Sequence, residues 1–329
     1  MKCALAILLA VAGSLNACEL CAIYSASSAR GESGSAFLVS VSQQYIPHRI
    51  LQFEGDDYEF DSVLEDAYLR NYITHIVPAW NFSSRFGVSL SVPIILREFR
   101  RVEVSSLDGL IDEEDSTSGL GDISLVGRFA AIQKSAMDYS VTLNLLARIK
   151  LPTGKTDRLE NEVERAERDR DFFGPGHPHS ATGGIHEHDL SLGSGSYDGV
   201  FGTAFTARWK RFFVGQQLQY YLRTEGEDYE YGDLFIASGG PGAYLVLHDE
   251  FTISLQGNVF YEWMDEDELI GQKSESTGFE SWYAGPQLNL TVGEHFSFNA
   301  GVDIPITIDN NGLQTVPDYR LHGGVTWRF

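Results

Sequence analysis

The chain has 329 residues, a formal net charge of -22, and 43% hydrophobic and 12% aromatic residues. That apolar content excludes a disordered chain, and the lack of a basic patch excludes a nucleic-acid partner, whose phosphates need cations to displace counterions. With only three cysteines, the fold gets almost no covalent help.

At the N-terminus, Lys2 precedes an apolar run from Cys3 through Gly13, and Leu15-Asn16-Ala17 offers a small-residue cleavage site, so residues 1–17 read as a secretory signal peptide. The run is too short to cross a bilayer as a helix, and no later stretch reaches the ~18 apolar residues that a membrane helix needs. A mature chain that enters a membrane must then do so as a closed barrel, which satisfies every backbone group in hydrocarbon. Residues 18–35 read as a periplasmic N-terminal segment around Cys18-Glu19-Leu20-Cys21. Ala22 stands where a c-type haem site needs His. Two readings stay open for this pair: a disulfide between Cys18 and Cys21, or acylation of Cys18 after a lipoprotein-like Leu15-Asn16-Ala17.

Residues 36–329 carry period-two alternation with almost no helical periodicity, and predict an all-β fold, a transmembrane antiparallel up-and-down β-barrel of about twelve strands. The strands are read at 36–47, 66–80, 84–98, 121–132, 138–151, 196–208, 211–223, 233–247, 251–263, 279–292, 295–308 and 319–329. In the clearest, Tyr139, Val141, Leu143, Leu145, Ala147 and Ile149 oppose Ser140, Thr142, Asn144, Arg148 and Lys150. In another, Phe296, Phe298, Ala300, Val302, Ile304, Ile306 and Ile308 oppose Ser297, Asn299, Asp303 and Thr307. A soluble sandwich would alternate too. It would not alternate short with long connections, as this chain does: short near 81–83, 133–137, 209–210, 248–250 and 293–294; long at 48–65, 99–120, 152–195, 224–232, 264–278 and 309–318. That asymmetry is the outer-membrane pattern of short periplasmic turns and long external loops, and an even strand count puts both termini in the periplasm.

The acids gather in the long loops, at Glu54, Asp56, Asp57, Glu59 and Asp61, at Asp112 to Asp115, at Glu225, Glu227, Asp228 and Glu230, and at Asp265 to Glu268. They read as solvated loops, or as a negative vestibule that meets cations and lipopolysaccharide. The longest loop, 152–195, contains Arg158 to Arg170, whose alternating charges fit a short helical turn laced by i,i+4 pairs that folds over or into the pore, or a solvated segment. It also contains His177, His179, His186 and His188, imidazoles that suit a divalent metal, beside the plainer reading of a mobile polar loop. No cofactor is required by anything in the sequence.

Trp80, Tyr139, Trp263, Tyr319, Trp327 and Phe329 fall near strand ends, as interfacial girdles do. The last strand ends on Phe329 and resembles the C-terminal signature that the barrel-assembly machinery reads. Three internal stretches extend the resemblance: Ser118-Gly119-Leu120-Gly121-Asp122-Ile123, Lys150-Leu151-Pro152-Thr153-Gly154-Lys155, and Leu192-Gly193-Ser194-Gly195-Ser196-Tyr197-Asp198-Gly199-Val200. In this order they resemble the bacterial outer-membrane β-barrel family of transporters associated with the MetA pathway of phenol degradation. The resemblance implies an outer-membrane channel, with aromatic or other small organic solutes as its cargo.

Twelve strands ~4.8 Å apart and tilted ~40° enclose a barrel roughly 24 Å across, leaving roughly 10 Å of bore after side chains. The inward positions carry mixed charge: Arg128, Arg148, Lys150, Arg208, Arg320 and Arg328 against Asp122, Asp198, Glu262 and Asp303, candidates for a polar constriction or for a structural lattice of ion pairs. No nucleophile elbow, phosphate loop or metalloprotease helix is present, and the chain reads as a non-enzyme. Two functions follow: a channel for diffusion or uptake of small solutes, or a metal-binding or redox-accessory outer-membrane protein that uses the histidine loop and the cysteine pair.

Overall fold

Strands that are apolar on one face and polar on the other can bury both only by closing on themselves in lipid. In a computed structural model they do so. The structure describes residues 37–58, 67–105, 109–136, 138–174, 184–248, 250–274, 276–293 and 295–329. The expected signal peptide, the segment 18–35 with Cys18 and Cys21, and the loop histidines His177 and His179 lie outside the described residues.

The barrel strands are β1 (Phe37–Phe53), β2 (Tyr68–Asn81), β3 (Phe86–Ser105), β4 (the successive segments Gly109–Leu120 and Ser124–Ser135), β5 (Tyr139–Lys150), β6 (Asp198–Trp209), β7 (Phe212–Leu222), β8 (Leu234–Leu247), β9 (Phe251–Met264), β10 (Phe279–Val292), β11 (Phe296–Asn310) and β12 (Leu313–Pro317 and Arg320–Arg328). Each pairs antiparallel with its chain neighbour, and β1 pairs both β2 and β12, so no edge is left open. Tight turns join the strands at one end, the terminal rim, where the Phe329 amide donates to the Phe37 carbonyl at 3.0 Å. The long loops all stand at the other end, the loop rim.

Outside, large apolar side chains face out around the wall: Val41, Leu90, Ile94, Leu125, Ile149, Phe201, Val214, Leu255, Leu288, Ile304 and Val325 are all exposed. An apolar surface this continuous is tolerated in hydrocarbon and not in water. At the terminal rim Phe37, Trp80, Phe86, Tyr139, Trp209, Phe212, Trp327 and Phe329 are exposed, with the Trp327 and Phe329 rings 4.4 Å apart. Inside, side chains satisfy one another, as in Ser40 to Thr326 at 2.8 Å and Asn258 to Gln287 at 3.0 Å.

Four expectations need correction. The strands β1 and β3 run past 47 and 98, β1 by pairing with Leu313–Pro317 and β3 by continuing as a hairpin with the first segment of β4. Asp112 to Asp115 therefore lie on a strand and not in a loop. Arg101 stands directly opposite Glu113, and Arg100 reaches Asp112 at 3.2 Å, so cross-strand attraction holds a pair that carries no apolar alternation. The expected loop 309–318 contains Leu313–Pro317, paired with β1 from His48 to Phe53. A bulge in β11 opposite Trp282 and Tyr283 adds one residue and flips the following side chains, so Ile308 packs inward beside Tyr283 while Thr307 is exposed, the reverse of the alternation read from sequence. Finally, Arg158 to Arg170 is helical but longer than a short turn, and it is not a solvated loop. It belongs to helix α1 (Asp157–Phe173), which buries Leu159, Glu162, Val163, Ala166 and Asp169. Leu159, Val163 and Ala166 form the apolar stripe of an otherwise charged helix and pack on Tyr229 and Leu269 of neighbouring loops.

Candidate functional site

The three glycine-rich stretches singled out in the sequence meet at one carboxylate. Between the two segments of β4 the chain leaves the ladder at Asp122. One oxygen of Asp122 accepts from the amides of Thr153 (3.1 Å) and Gly154 (2.9 Å); the other accepts from the amide and the hydroxyl of Ser194 (2.9 and 3.0 Å). Lys150 Nζ lies 3.3 Å from Asp122 and 2.5 Å from Asp198, and donates to Ser194. The glycines are required by backbone crossing: a Cβ on Gly154 would sit 2.7 Å from Gly193 Cα and 2.7 Å from the Leu192 carbonyl oxygen. This latch fixes both ends of the loop 152–195 to the loop-rim end of the wall.

Between those ends the loop turns inward. Ile185 and Leu190 are buried against Leu69 and Phe99, and Leu192 against Ile73 and Ile95, all on inward positions of β2 and β3. Arg97 donates to the carbonyl oxygens of Asp189 and Ser191, and the Thr315 amide donates to the Gly184 carbonyl at 2.8 Å. Residues 184–195 therefore form a plug within the loop-rim mouth. Helix α1 lies over it, and a buried ion knot ties the two together. Glu187 on the short helix α2 (Glu187–Leu190) is 2.7 Å from Arg101, 3.1 Å from Arg158 and 3.2 Å from Arg165. Next to it, Glu162 accepts from the His188 amide at 2.6 Å and pairs with His188 Nδ1 at 2.9 Å. Burial alone would lower the His188 pKa, but the adjoining Glu162 carboxylate outweighs burial and lifts it to about 10. Burial opposes the charge on Glu162 too, yet the His188 imidazolium holds its pKa at about 2.

Beneath the plug is a cavity of ≈ 460 Å³, within the usual range for a small-molecule site. Its lining divides in two. Ile46, Leu69, Ile73, Ile95, Leu192 and Val316 give an apolar side; Arg97, Arg148, Lys150, Arg223, Glu262 and Arg320 supply charge.

The ten expected lumen residues do not form one ring. Asp122, Lys150 and Asp198 are the latch. Glu262 is ion-paired with Arg320, whose guanidinium lies 3.8 Å from the centre of the Tyr283 ring. Asp303 is 3.3 Å from His322, and Arg148 lines the cavity. Arg128 sits lower, donating to Asn81 at 2.8 Å and Asn144 at 3.1 Å. Arg208 and Arg328 are at the terminal rim, donating to the Lys210 carbonyl (3.1 Å) and the Ser297 hydroxyl (2.7 Å). Of the expected metal residues, His186 and His188 stack at 5.3 Å, and the Nδ1 of His188 is engaged by Glu162. A protonated imidazole offers no lone pair to a metal. Among the described residues no group of three His, Cys, Asp or Glu side chains is placed to hold an ion.

Sequence reasoning missed Arg97, Arg101, Glu162 and Glu187. A signal existed for the first two: Arg97 shares the inward parity of Ile95 within the strand as read, and Arg101 continues it through Phe99 past the point where that strand was ended. Glu162 and Glu187 fall inside two stretches already singled out, Arg158 to Arg170 and His186 to Asp189, but nothing in the sequence paired one stretch with the other.

No protein-family model matches the sequence, and neither does any curated protein. Solved structures do. An outer membrane channel from Pseudomonas putida F1 aligns over 90% of this chain and 96% of that one, with 13% identity and a TM-score of 0.59. The translocator domain of the autotransporter NalP from Neisseria meningitidis aligns over 94% and 93% with 11% identity and a TM-score of 0.41, and the CymD monoaromatic hydrocarbon channel over 94% and 93% with 8% identity and a TM-score of 0.40. With its closed ladder and apolar exterior, the chain has the twelve-strand antiparallel fold of bacterial outer-membrane barrels.

Proposed function

We propose that this chain is a gated outer-membrane channel for small amphipathic organic solutes, with the terminal rim in the periplasm and the loop 152–195 as an external plug. The observation that carries the reading is the cavity within the barrel, apolar on one side and charged on the other, closed on one side by a loop held by hydrogen bonds and ion pairs and by no covalent tie among the described residues. A plug secured in this way can leave without unfolding the wall. An apolar wall facing fixed polar groups suits a solute with an apolar body and a polar head, the chemistry of small aromatic compounds among others. Phe329, seated against Phe37 at a ring distance of 5.4 Å, is the terminal residue we expect the assembly machinery to read.

Single-channel recording in planar bilayers tests the proposal. We expect small, infrequent steps from the full chain and larger, longer ones from Glu187→Gln, which cuts the ion knot. Silence from both proteins, correctly folded, would overturn it.

A further inference from the structure

Among the described residues, five carboxylates line the cavity beneath the plug, and each is already engaged. Asp122 and Asp198 hold Lys150, and Glu262 holds Arg320. Asp189 accepts from the His186 amide at 2.9 Å, and Asp267 accepts from the Gly232 amide at 2.7 Å and from the Tyr229 hydroxyl. Two of the lining arginines are not so matched. Arg97 donates through Nη1 to plug backbone, at the Asp189 and Ser191 carbonyls, and its Nε is buried with no hydrogen-bond partner among the described residues. Arg223, just past the end of β7, reaches the Met264 sulfur at 3.6 Å and lies over the Tyr231 ring at 5.6 Å. Neither guanidinium has a carboxylate at ion-pair distance among the described residues. Both belong to one corner of the cavity: the Tyr231 hydroxyl donates to the His188 carbonyl at 3.0 Å, Arg97 takes the next carbonyl along, and Arg223 covers the Tyr231 ring. Two residues before Arg97 on β3 is Ile95, which packs with Ile73 and Leu192.

We propose that this corner binds the anionic head of a small organic carboxylate, whose apolar body lies against Ile73, Ile95 and Leu192; the place of this site on a transport path rests on the channel reading above. A guanidinium drawn out of bulk water without a counter-charge is costly, and a carboxylate supplies the charge and the acceptors together. Arginine stays charged at every relevant pH, and its planar fork matches the two oxygens of a carboxylate. A cavity of ≈ 460 Å³ encloses such a molecule whole. The plug is itself part of the site, since its carbonyls hold Arg97 in place and Leu192 completes the apolar side. Occupancy of the site and docking of the plug therefore favour each other, because coupling between two equilibria is reciprocal.

The test is isothermal titration of the full chain in detergent, corrected against empty micelles, with sodium hexanoate, 1-hexanol, hexylammonium chloride and sodium acetate. We expect hexanoate to bind at least about tenfold more tightly than hexanol or hexylammonium, which lack the charge-assisted contacts. It should also bind at least about tenfold more tightly than acetate, which lacks the apolar body. Arg223→Gln keeps the main-chain amide bond to Asp233 and should weaken hexanoate by about tenfold while sparing hexanol. Lys134→Gln, at an exposed position, should change neither. Amide exchange at residues 184–190 should slow as hexanoate saturates the protein. Wild-type protein that binds hexanol or acetate as tightly as hexanoate would overturn the site, and this comparison needs no variant to fold. A folded Arg223→Gln with undiminished hexanoate affinity would overturn the assignment to this corner, and exchange at 184–190 unmoved by hexanoate would overturn the part given to the plug. None of these measurements depends on current, so silent bilayers from both the wild-type protein and Glu187→Gln would overturn the channel reading and leave the carboxylate site standing.

Discussion

The two halves of this barrel solve the problem of buried charge in different ways. At the loop rim, charge is abundant and consumed locally: Glu187 is shared by Arg101, Arg158 and Arg165, Asp122 by Lys150 and four backbone or hydroxyl donors, and Glu162 by His188. Toward the terminal rim, amides and hydroxyls take over, as where Asn258 donates to Gln287 and Ser40 pairs with Thr326. Paired charge fixes a segment in place, whereas amides and hydroxyls that satisfy one another tie the strands of a wall together without charge. The upper half is accordingly built to hold a segment of loop and the lower half to hold the wall together.

The largest expected effect comes from breaking the ion knot. Glu187→Gln removes the carboxylate between three arginines, and removing one partner of a buried pair costs about 3–5 kcal/mol. Arg101 keeps Glu113 at 2.7 Å, so we expect the lower end of that range. Amide hydrogen exchange across residues 184–190 should then accelerate about a hundredfold, given ~1.4 kcal/mol per factor of ten, while β5 to β11 stay protected. Unchanged exchange would mean that the knot is incidental and the latch alone holds the plug.

Breaking the latch separates the two devices. In Gly154→Ala the new methyl would lie 2.7 Å from Gly193 Cα, where both neighbours are backbone and cannot swing aside. Overpacking of this kind costs about 1–3 kcal/mol. The expected result is faster exchange at 152–155 and 192–195, with residues 184–190 less affected. Uniform loosening of the whole loop would show instead that latch and knot act as one unit.

Most of the barrel was legible in the sequence, because lipid outside and water inside force period-two alternation and a one-residue error in register would invert every side chain. Its failures have separate causes. In the β3 and β4 hairpin, Arg100 and Arg101 face Asp112 and Glu113, so attraction between charges replaced the apolar signal. In β11, one added residue reversed the parity of Ile308. The plug was the least legible part. Ile185, Leu190 and Leu192 look like stray apolar residues in a polar loop until the pocket made by Leu69, Ile73, Ile95 and Phe99 is known. The glycines of the latch stood out as motifs, but their meeting point at Asp122 is a fact of tertiary structure.

A third test uses pH, with the sign set by the His188 and Glu162 pair. The His188 pKa is raised from 6.5 to about 10, so its contribution is complete below pH ~6.5 and is lost as pH rises through 10. The Glu162 pKa is lowered from 4.5 to about 2, so its contribution is complete above pH ~4.5 and is lost as pH falls through 2. Protection factors of residues 184–190 should therefore be greatest between about pH 4.5 and 6.5 and decline on both sides. The β9 and β10 wall near the terminal rim, with its amides and hydroxyls, should show no such bell. His188→Gln should flatten the alkaline limb; if that limb persists, another group controls docking.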